Sequence, residues 1–343
     1  MNHPVVMFFD ATSADNFAAF DAATREDSLL DVKLCIISGR AAHSDRKAPM
    51  EARDNAASAH YQLLNTKRVT GYMARAGRNT PVYQGEEVYR TQLRTVISHA
   101  VHADEHDYDT ENDWENTPVL GNFVDAVAKL REVITELEPD QKLMVLVGGP
   151  CTELAIILRY FPDIAARLGT IIIQAGDFAA DDSSNLKGGK GNSFNGAVDP
   201  AALHDVLYLH KGKVIILPSN MTKQRELAMA IEEIKRMARP ELGRIYQVHA
   251  ARRGGATFVH DLGLVMLAEQ EIRGEQGFPY RYELVEILEV PTGKERVRVF
   301  EDEVEVDRRG TIVIGPAEAG DRYVVVWQDV QGYRDRMAAY LQS

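Results

Sequence analysis

Asp10 closes a continuous apolar run, Pro4-Val-Val-Met-Phe-Phe9, and Asp15 stands five residues further on. The run predicts a strand buried on both faces of a parallel sheet, and Asp15-Asn16-Phe-Ala-Ala-Phe-Asp-Ala-Ala23 predicts the helix that follows it. A tight strand-to-helix turn of that length aims both carboxylates into one crevice. Late in the chain, Phe258-Val-His-Asp-Leu-Gly-Leu-Val265 puts His260 and Asp261 at the start of another apolar helix. Carboxylates and an imidazole at the rim of a core are groups able to carry acid–base chemistry. The plainer reading of Asp15 and Asp261 is that each caps its helix.

The elements that position these residues follow from the hydrophobic pattern. Further strands are expected at 32–37, 142–147, 170–174 and 213–217, and helices at 50–64, 152–159 and 200–209, the last opened by Pro200. Alternation of strand and helix over residues 1–275 predicts an α/β fold, an open, doubly wound and mostly parallel sheet with helices on both faces. Over 276–343 the period changes to two. Strands are expected at 280–290, 296–306 and 322–327, with a closing helix at 329–341, as an antiparallel extension packed on the same domain. No Pro/Gly/Ser linker separates this tail, so 1–343 is read as one domain. Two stretches look irregular, the acidic 104–115 and the Gly-, Ser- and Lys-rich 177–192. Loops at strand ends are where open α/β sheets bind ligands.

Composition narrows the function classes. The chain has 343 residues and a formal charge of −12, a field that repels a nucleic-acid backbone and argues against bulk nucleic-acid binding. Its 2 cysteines make no disulfide framework and favour a reducing compartment. The opening Met1-Asn2-His3-Pro4 lacks the basic start and apolar core of a secretory signal, and no apolar run reaches the ~18 residues of a membrane helix. The expectation is a cytoplasmic protein with no membrane partner.

Several motifs, in order, resemble the inosine–uridine-preferring nucleoside hydrolases. Gly149-Pro-Cys-Thr-Glu-Leu-Ala155 is similar to that family's Gly-Pro-Leu-Thr-Asn-Leu-Ala. Ser193-Phe-Asn-Gly-Ala-Val-Asp-Pro-Ala-Ala202 is similar to Glu-Phe-Asn-x-x-x-Asp-Pro-Glu-Ala-Ala. Pro162-Asp-Ile-Ala, Pro81-Val-Tyr-Gln-Gly85, Arg53-Asp-Asn-Ala56 and His260-Asp261 fall in the same order. The resemblance implies a homodimer or homotetramer that hydrolyses the C–N glycosidic bond of a small-molecule nucleoside. It implies one calcium ion held by Asp10, Asp15, Asp261 and a main-chain carbonyl near Thr152, a set of hard oxygens suited to that ion. Asp10 would also act as general base, and His260 would protonate the leaving base. Asn195 would hold a sugar hydroxyl, Asn16 would lie in the substrate site, and His102 would lie near the base.

The chain also departs from the family. Its opening Asp-x-Asp-Pro-Gly-x-Asp-Asp reads here Phe8-Phe-Asp10-Ala-Thr-Ser-Ala14-Asp15, so the acid that grips the ribose 2′-hydroxyl is Ala14. The Gly-Asn after the second strand becomes Gly39-Arg40, and the glutamate near the 5′-hydroxyl becomes Ser193. Without a buried carboxylate left unpaired, a 2′-deoxy sugar is no longer penalised. Lys187-Gly-Gly-Lys190-Gly-Asn192-Ser193, with Arg40, offers amides and charge to a phosphate. The sequence therefore points to a nucleoside or a 5′-phosphorylated 2′-deoxynucleotide as substrate. The alternative is a catalytically impaired relative that keeps the metal site. No Gly-x-Gly-x-x-Gly follows the first strand and no P-loop is present, which sets dinucleotide and P-loop folds aside.

Overall fold

Val5, Met7 and Phe9 on one side, and Val6 and Phe8 on the other, are all at most 1% exposed, as a strand covered on both faces requires. The computed structural model describes residues 2–11, 14–38, 55–86, 117–179, 195–196, 199–222, 225–251, 256–274, 279–291, 294–299, 302–307, 311–327 and 329–342. In chain order the strands are β1 (His3–Phe9), β2 (Leu30–Ile37), β3 (Val82–Gln84), β4 (Leu143–Gly148), β5 (Leu168–Gln174), β6 (Asp177–Ala179), β7 (Val214–Leu217), β8 (Met229–Ala230) and β9 (Ala256–Thr257). They continue with β10 (Tyr280–Glu289), β11 (Lys294–Val299), β12 (Asp302–Asp307), β13 (Thr311–Pro316) and β14 (Arg322–Trp327).

Among the described residues, ten strands form one sheet in the order β3-β2-β1-β4-β5-β7-β14-β10-β13-β6. From β3 to β14 each neighbouring pair is parallel. Helices Ala14–Ala23, Pro240–Ala251 and Leu262–Arg273 share one apolar layer with Met7 and Phe9. Helices Phe123–Glu136, Thr152–Tyr160 and Pro200–Leu209 share the opposite layer with Val6 and Phe8. The doubly wound α/β fold expected from the alternation is thus present. Phe8, where the resembling family carries an aspartate, is simply a core residue, 1% exposed, and its burial is worth about 2–3 kcal/mol.

The tail is antiparallel where β10 pairs with β14 and with β13, but it is more closely woven into the sheet than an added extension. β14 lies parallel to β7. Arg322 secures this insertion, donating to Leu207 O (2.8 Å), Gly212 O (2.8 Å) and His210 O (2.6 Å). The single strand expected at 296–306 is instead an antiparallel pair, β11 with β12, in which Val297 faces Val304 in register. The alternation of Val297 and Val299 is out of phase with that of Val304 and Val306, and this break marks the reversal. Residues 177–179, expected to be irregular, form β6. The helix expected at 50–64 is described from Asn55 and runs on to Arg75. Within it the Thr66 and Thr70 hydroxyls donate to the carbonyls one turn back, each at 2.8 Å, which satisfies these polar groups inside the helix.

His210 carries a pH-dependent contribution to this fold. Burial lowers its pKa to about 4, against the opposing hydrogen bond to Gly169 O at 2.9 Å. Between pH 6.5 and 4 the unfolded chain takes up a proton that the folded ring refuses, so stability falls with pH across that window and levels off below it. The loss amounts to about 3 kcal/mol. Urea unfolding midpoints at pH 7 and pH 5 check this, with a shallower change expected for His210→Gln.

Candidate active site

In an open sheet a ligand crevice forms where the winding direction reverses, outside the carboxyl ends of the strands. Here that point lies between β1 and β4. Phe9 pairs with Ile37 on one side and Gly148 on the other, so Asp10, Ser38 and Gly149 emerge level with one another. Asp10 is 4% exposed. Ala11 after it has φ 53°, a left-handed backbone that costs a non-glycine residue energy and recurs at functional sites. Asp15 follows in the first turn of helix Ala14–Ala23 and is 6% exposed. In the same apolar layer Phe9, Phe20, Phe17 and Tyr72 meet in turn, tilted or edge to face, with ring centroids 5.1–6.2 Å apart.

Asp261 reaches the same point from the far end of the sequence. It occupies the N-cap position of helix Leu262–Arg273 but makes no side-chain capping bond, so the plain cap reading does not hold for it. Its Oδ2 instead accepts from Asn16 Nδ2 at 2.5 Å, and the same amide nitrogen lies 3.4 Å from Gly148 O. Asn16 is fully buried and, through this bond, orients an acid. Burial first, then the charges of Asp15 and Asp10, hold the Asp261 carboxyl well above the usual carboxylate range. Three acids distant in sequence therefore share one electrostatic neighbourhood.

The turn after β4 closes on Asp10. A Cβ added to Gly149 would lie 2.7 Å from Asp10 N and 3.0 Å from Phe9 C, so only glycine allows this approach. Gly149→Ala is expected to cost about 1–3 kcal/mol of stability by overpacking and to lower turnover, since the displaced atom is Asp10's own backbone. Urea unfolding beside steady-state rates checks it. Thr152, 1% exposed, begins the next helix. Its hydroxyl donates to Asp199 Oδ2 at 2.8 Å, while Asp199 Oδ1 accepts from Ala202 N at 3.1 Å. Asp199 thus caps helix Pro200–Leu209 and holds Thr152 at once. Its one sequence signal was the Asp-Pro helix start.

Asn195 is buried beside the carboxyl end of β5, donating to Gln174 O (3.0 Å) and Gln174 Oε1 (2.8 Å), and Gln174 Nε2 donates to Ser219 Oγ (3.2 Å). Gln174 lacked any motif in the sequence. His260 stacks on Phe258 with centroids 5.3 Å apart and planes at 19°, immediately before Asp261. Tyr246 was also missed; its hydroxyl is buried without a hydrogen-bond partner among the described residues. Burial, then Asp15 and Asp261, raise its pKa well above normal. The apolar spacing around Tyr246 marks only a core face. Arg40, His102, Lys187, Lys190, Asn192 and Ser193 lie outside the described residues.

A sequence profile described as inosine-uridine preferring nucleoside hydrolase matches residues 55–334. The chain belongs to this family. It is accordingly a hydrolase of N-glycosyl compounds. Thr152, Asn195, His260 and Asp261 fall inside the matched segment, whereas Asp10, Asp15 and Asn16 precede it. Among solved structures, a plant nucleoside hydrolase is 18% identical with a TM-score of 0.63, the match covering 100% of this chain and 98% of that one. An inosine-guanosine nucleoside hydrolase is 18% identical with a TM-score of 0.67, covering 100% and 98%. A purine-preferring ribonucleoside hydrolase from Gardnerella vaginalis is 16% identical with a TM-score of 0.65, covering 99% of each chain. These likenesses concern the fold. No curated protein sequence matches the chain.

Asp10, Asp15 and Asp261 carry hard carboxylate oxygens, the donor type that a cation such as calcium takes, and the charges of Asp15 and Asp10 act on Asp261. Among the described residues, no group of three or more His, Cys, Asp or Glu side chains stands arranged to hold a metal ion. Asn16 holds one oxygen of Asp261. No helix among the described residues is long and apolar enough to cross a membrane.

Proposed function

We propose that this protein is a calcium-dependent N-glycosidase that releases the free base from a nucleoside. The observation that supports this reading is the convergence on the end of β4, where Asn16, next to Asp15, bonds Asp261 and lies against Gly148 O, and where Gly149 packs on Asp10. These three acids and a main-chain carbonyl near Thr152 would hold the ion, which when bound polarises the attacking water. Asp10 takes a proton from that water as its oxygen bonds to C1′. The C1′–N bond breaks, its electron pair leaves with the base, and His260 donates the proton the base requires. Negative charge from the acids favours the oxocarbenium-like state between these events. Asn195 would hold a sugar hydroxyl through its side-chain oxygen, its amide nitrogen being engaged by Gln174. The test is release of free base from a panel of nucleosides; a folded, calcium-loaded protein that releases none is instead the impaired relative.

Ala14 refines the substrate. It is fully buried beside Asp15 and has no carboxylate to accept from a 2′-hydroxyl. With no anion left unpaired, kcat/KM for 2′-deoxyribonucleosides is expected within about tenfold of that for ribonucleosides. A far larger preference for ribose would contradict this. The further refinement to a 5′-phosphorylated substrate is drawn from Arg40, Lys187, Lys190, Asn192 and Ser193 in the sequence. Faster cleavage of plain ribonucleosides than of deoxynucleoside 5′-monophosphates would remove it while leaving the hydrolase reading intact.

A further inference from the structure

Glu153 is fully buried in the first turn of helix Thr152–Tyr160. A carboxyl group so placed costs several kcal/mol in lost hydration unless its oxygens are satisfied. Here the two oxygens are divided between two neighbouring strands. Oε2 accepts from Ser38 Oγ, just beyond β2, at 2.7 Å, and Oε1 accepts from the backbone N–H of Glu86, just beyond β3, at 2.9 Å. Ser38 Oγ also lies 3.4 Å from Pro150 O, and Ser38 N donates to Phe9 O at 2.7 Å.

The surroundings are shaped to admit this carboxyl. A Cβ on Gly85 would collide with Glu153 Oε1 and lie 2.7 Å from Ile37 O. Gln62 tightens the same corner, donating to Ile37 O and Glu86 O at 3.0 Å each. Glu153 thus ties the turn after β4 to the ends of β2 and β3 on one flank, while Asp199 ties Thr152 on the other. Between the two ties runs the backbone from Gly149 to Thr152, packed against Asp10. The resembling motif has an asparagine at this position, one methylene too short for the same span.

We propose that Glu153 is a positioning residue for the cation site: its link to Ser38 and Glu86 sets the Gly149–Thr152 turn against Asp10. It touches neither substrate nor ion. This inference rests on the calcium reading above, and calcium affinity is therefore its readout. Calcium titration calorimetry and thermal unfolding would be run on the full-length wild type, Glu153→Gln, Glu153→Leu and Ser38→Ala. Losing such a supporting contact is expected to weaken calcium binding by about 10–100-fold in Glu153→Leu. Glu153→Gln keeps the span and the acceptor for Glu86 N–H, and restores binding close to the wild-type value. A folded Glu153→Leu with wild-type affinity overturns the proposal. If that variant does not fold, Ser38→Ala decides: weaker calcium binding with an unchanged melting temperature supports the role, and unchanged binding overturns it. A wild type that binds no calcium overturns the cation reading itself, and this proposal with it.

Discussion

Asp10→Asn is expected to lower kcat by about a thousandfold while leaving the protein folded, because a positioned general base is worth 10²–10⁴ in rate. The substitution is nearly isosteric. Asp10's backbone contacts, with Asn65 Nδ2 at 3.3 Å from its carbonyl and Gly149 against its N–H, do not depend on the side chain. The capacity to accept a proton is lost together with one anionic ligand of the proposed ion, so rates are compared at saturating calcium. Initial rates of base release, with the unfolding midpoint alongside, check the outcome. A rate within tenfold of wild type would remove Asp10 from the role of base.

Asp261→Asn is expected to change stability in opposite directions depending on calcium. Without the ion, wild type buries three mutually repelling acids, with Asp261 3% exposed and its carboxyl forced well above its ordinary pKa by burial, Asp15 and Asp10. Removing one charge relieves that repulsion, so the calcium-free variant unfolds at or above the wild-type temperature. With calcium at about a hundred times its dissociation constant, wild type gains about 2.7 kcal/mol. The variant gains little, since an amide is a poor substitute for a hard anionic ligand. Melting curves with chelator and with calcium give all four values. A calcium increment in the variant equal to that of wild type would exclude Asp261 as a ligand.

The parts of the fold that were legible in the sequence are those fixed by local pattern. The apolar runs at 4–9 and 142–147 identified two strands, and the structure places them side by side. The positions of Asp10, Asp15 and Asp261 at the ends of such elements were legible in the same way, whereas Thr152 was singled out by the resemblance alone. What escaped was set by contacts between residues far apart. The hydrogen bond from the Asn16 amide to Asp261, 245 positions away, had no local sign in the sequence. Asp199 looks like an ordinary helix cap and Glu153 like an ordinary first-turn acid until Thr152 and Ser38 are seen against them. The β11–β12 reversal was hidden because both strands share one polar, alternating composition and differ only in phase.

The most direct test is base release from ribonucleosides and 2′-deoxyribonucleosides by chelator-treated protein, followed by addition of calcium. The account predicts negligible release after chelation, recovery when calcium is restored, and no recovery in Asp10→Asn. Equal release with and without chelator, or none from any nucleoside with calcium bound, would contradict it.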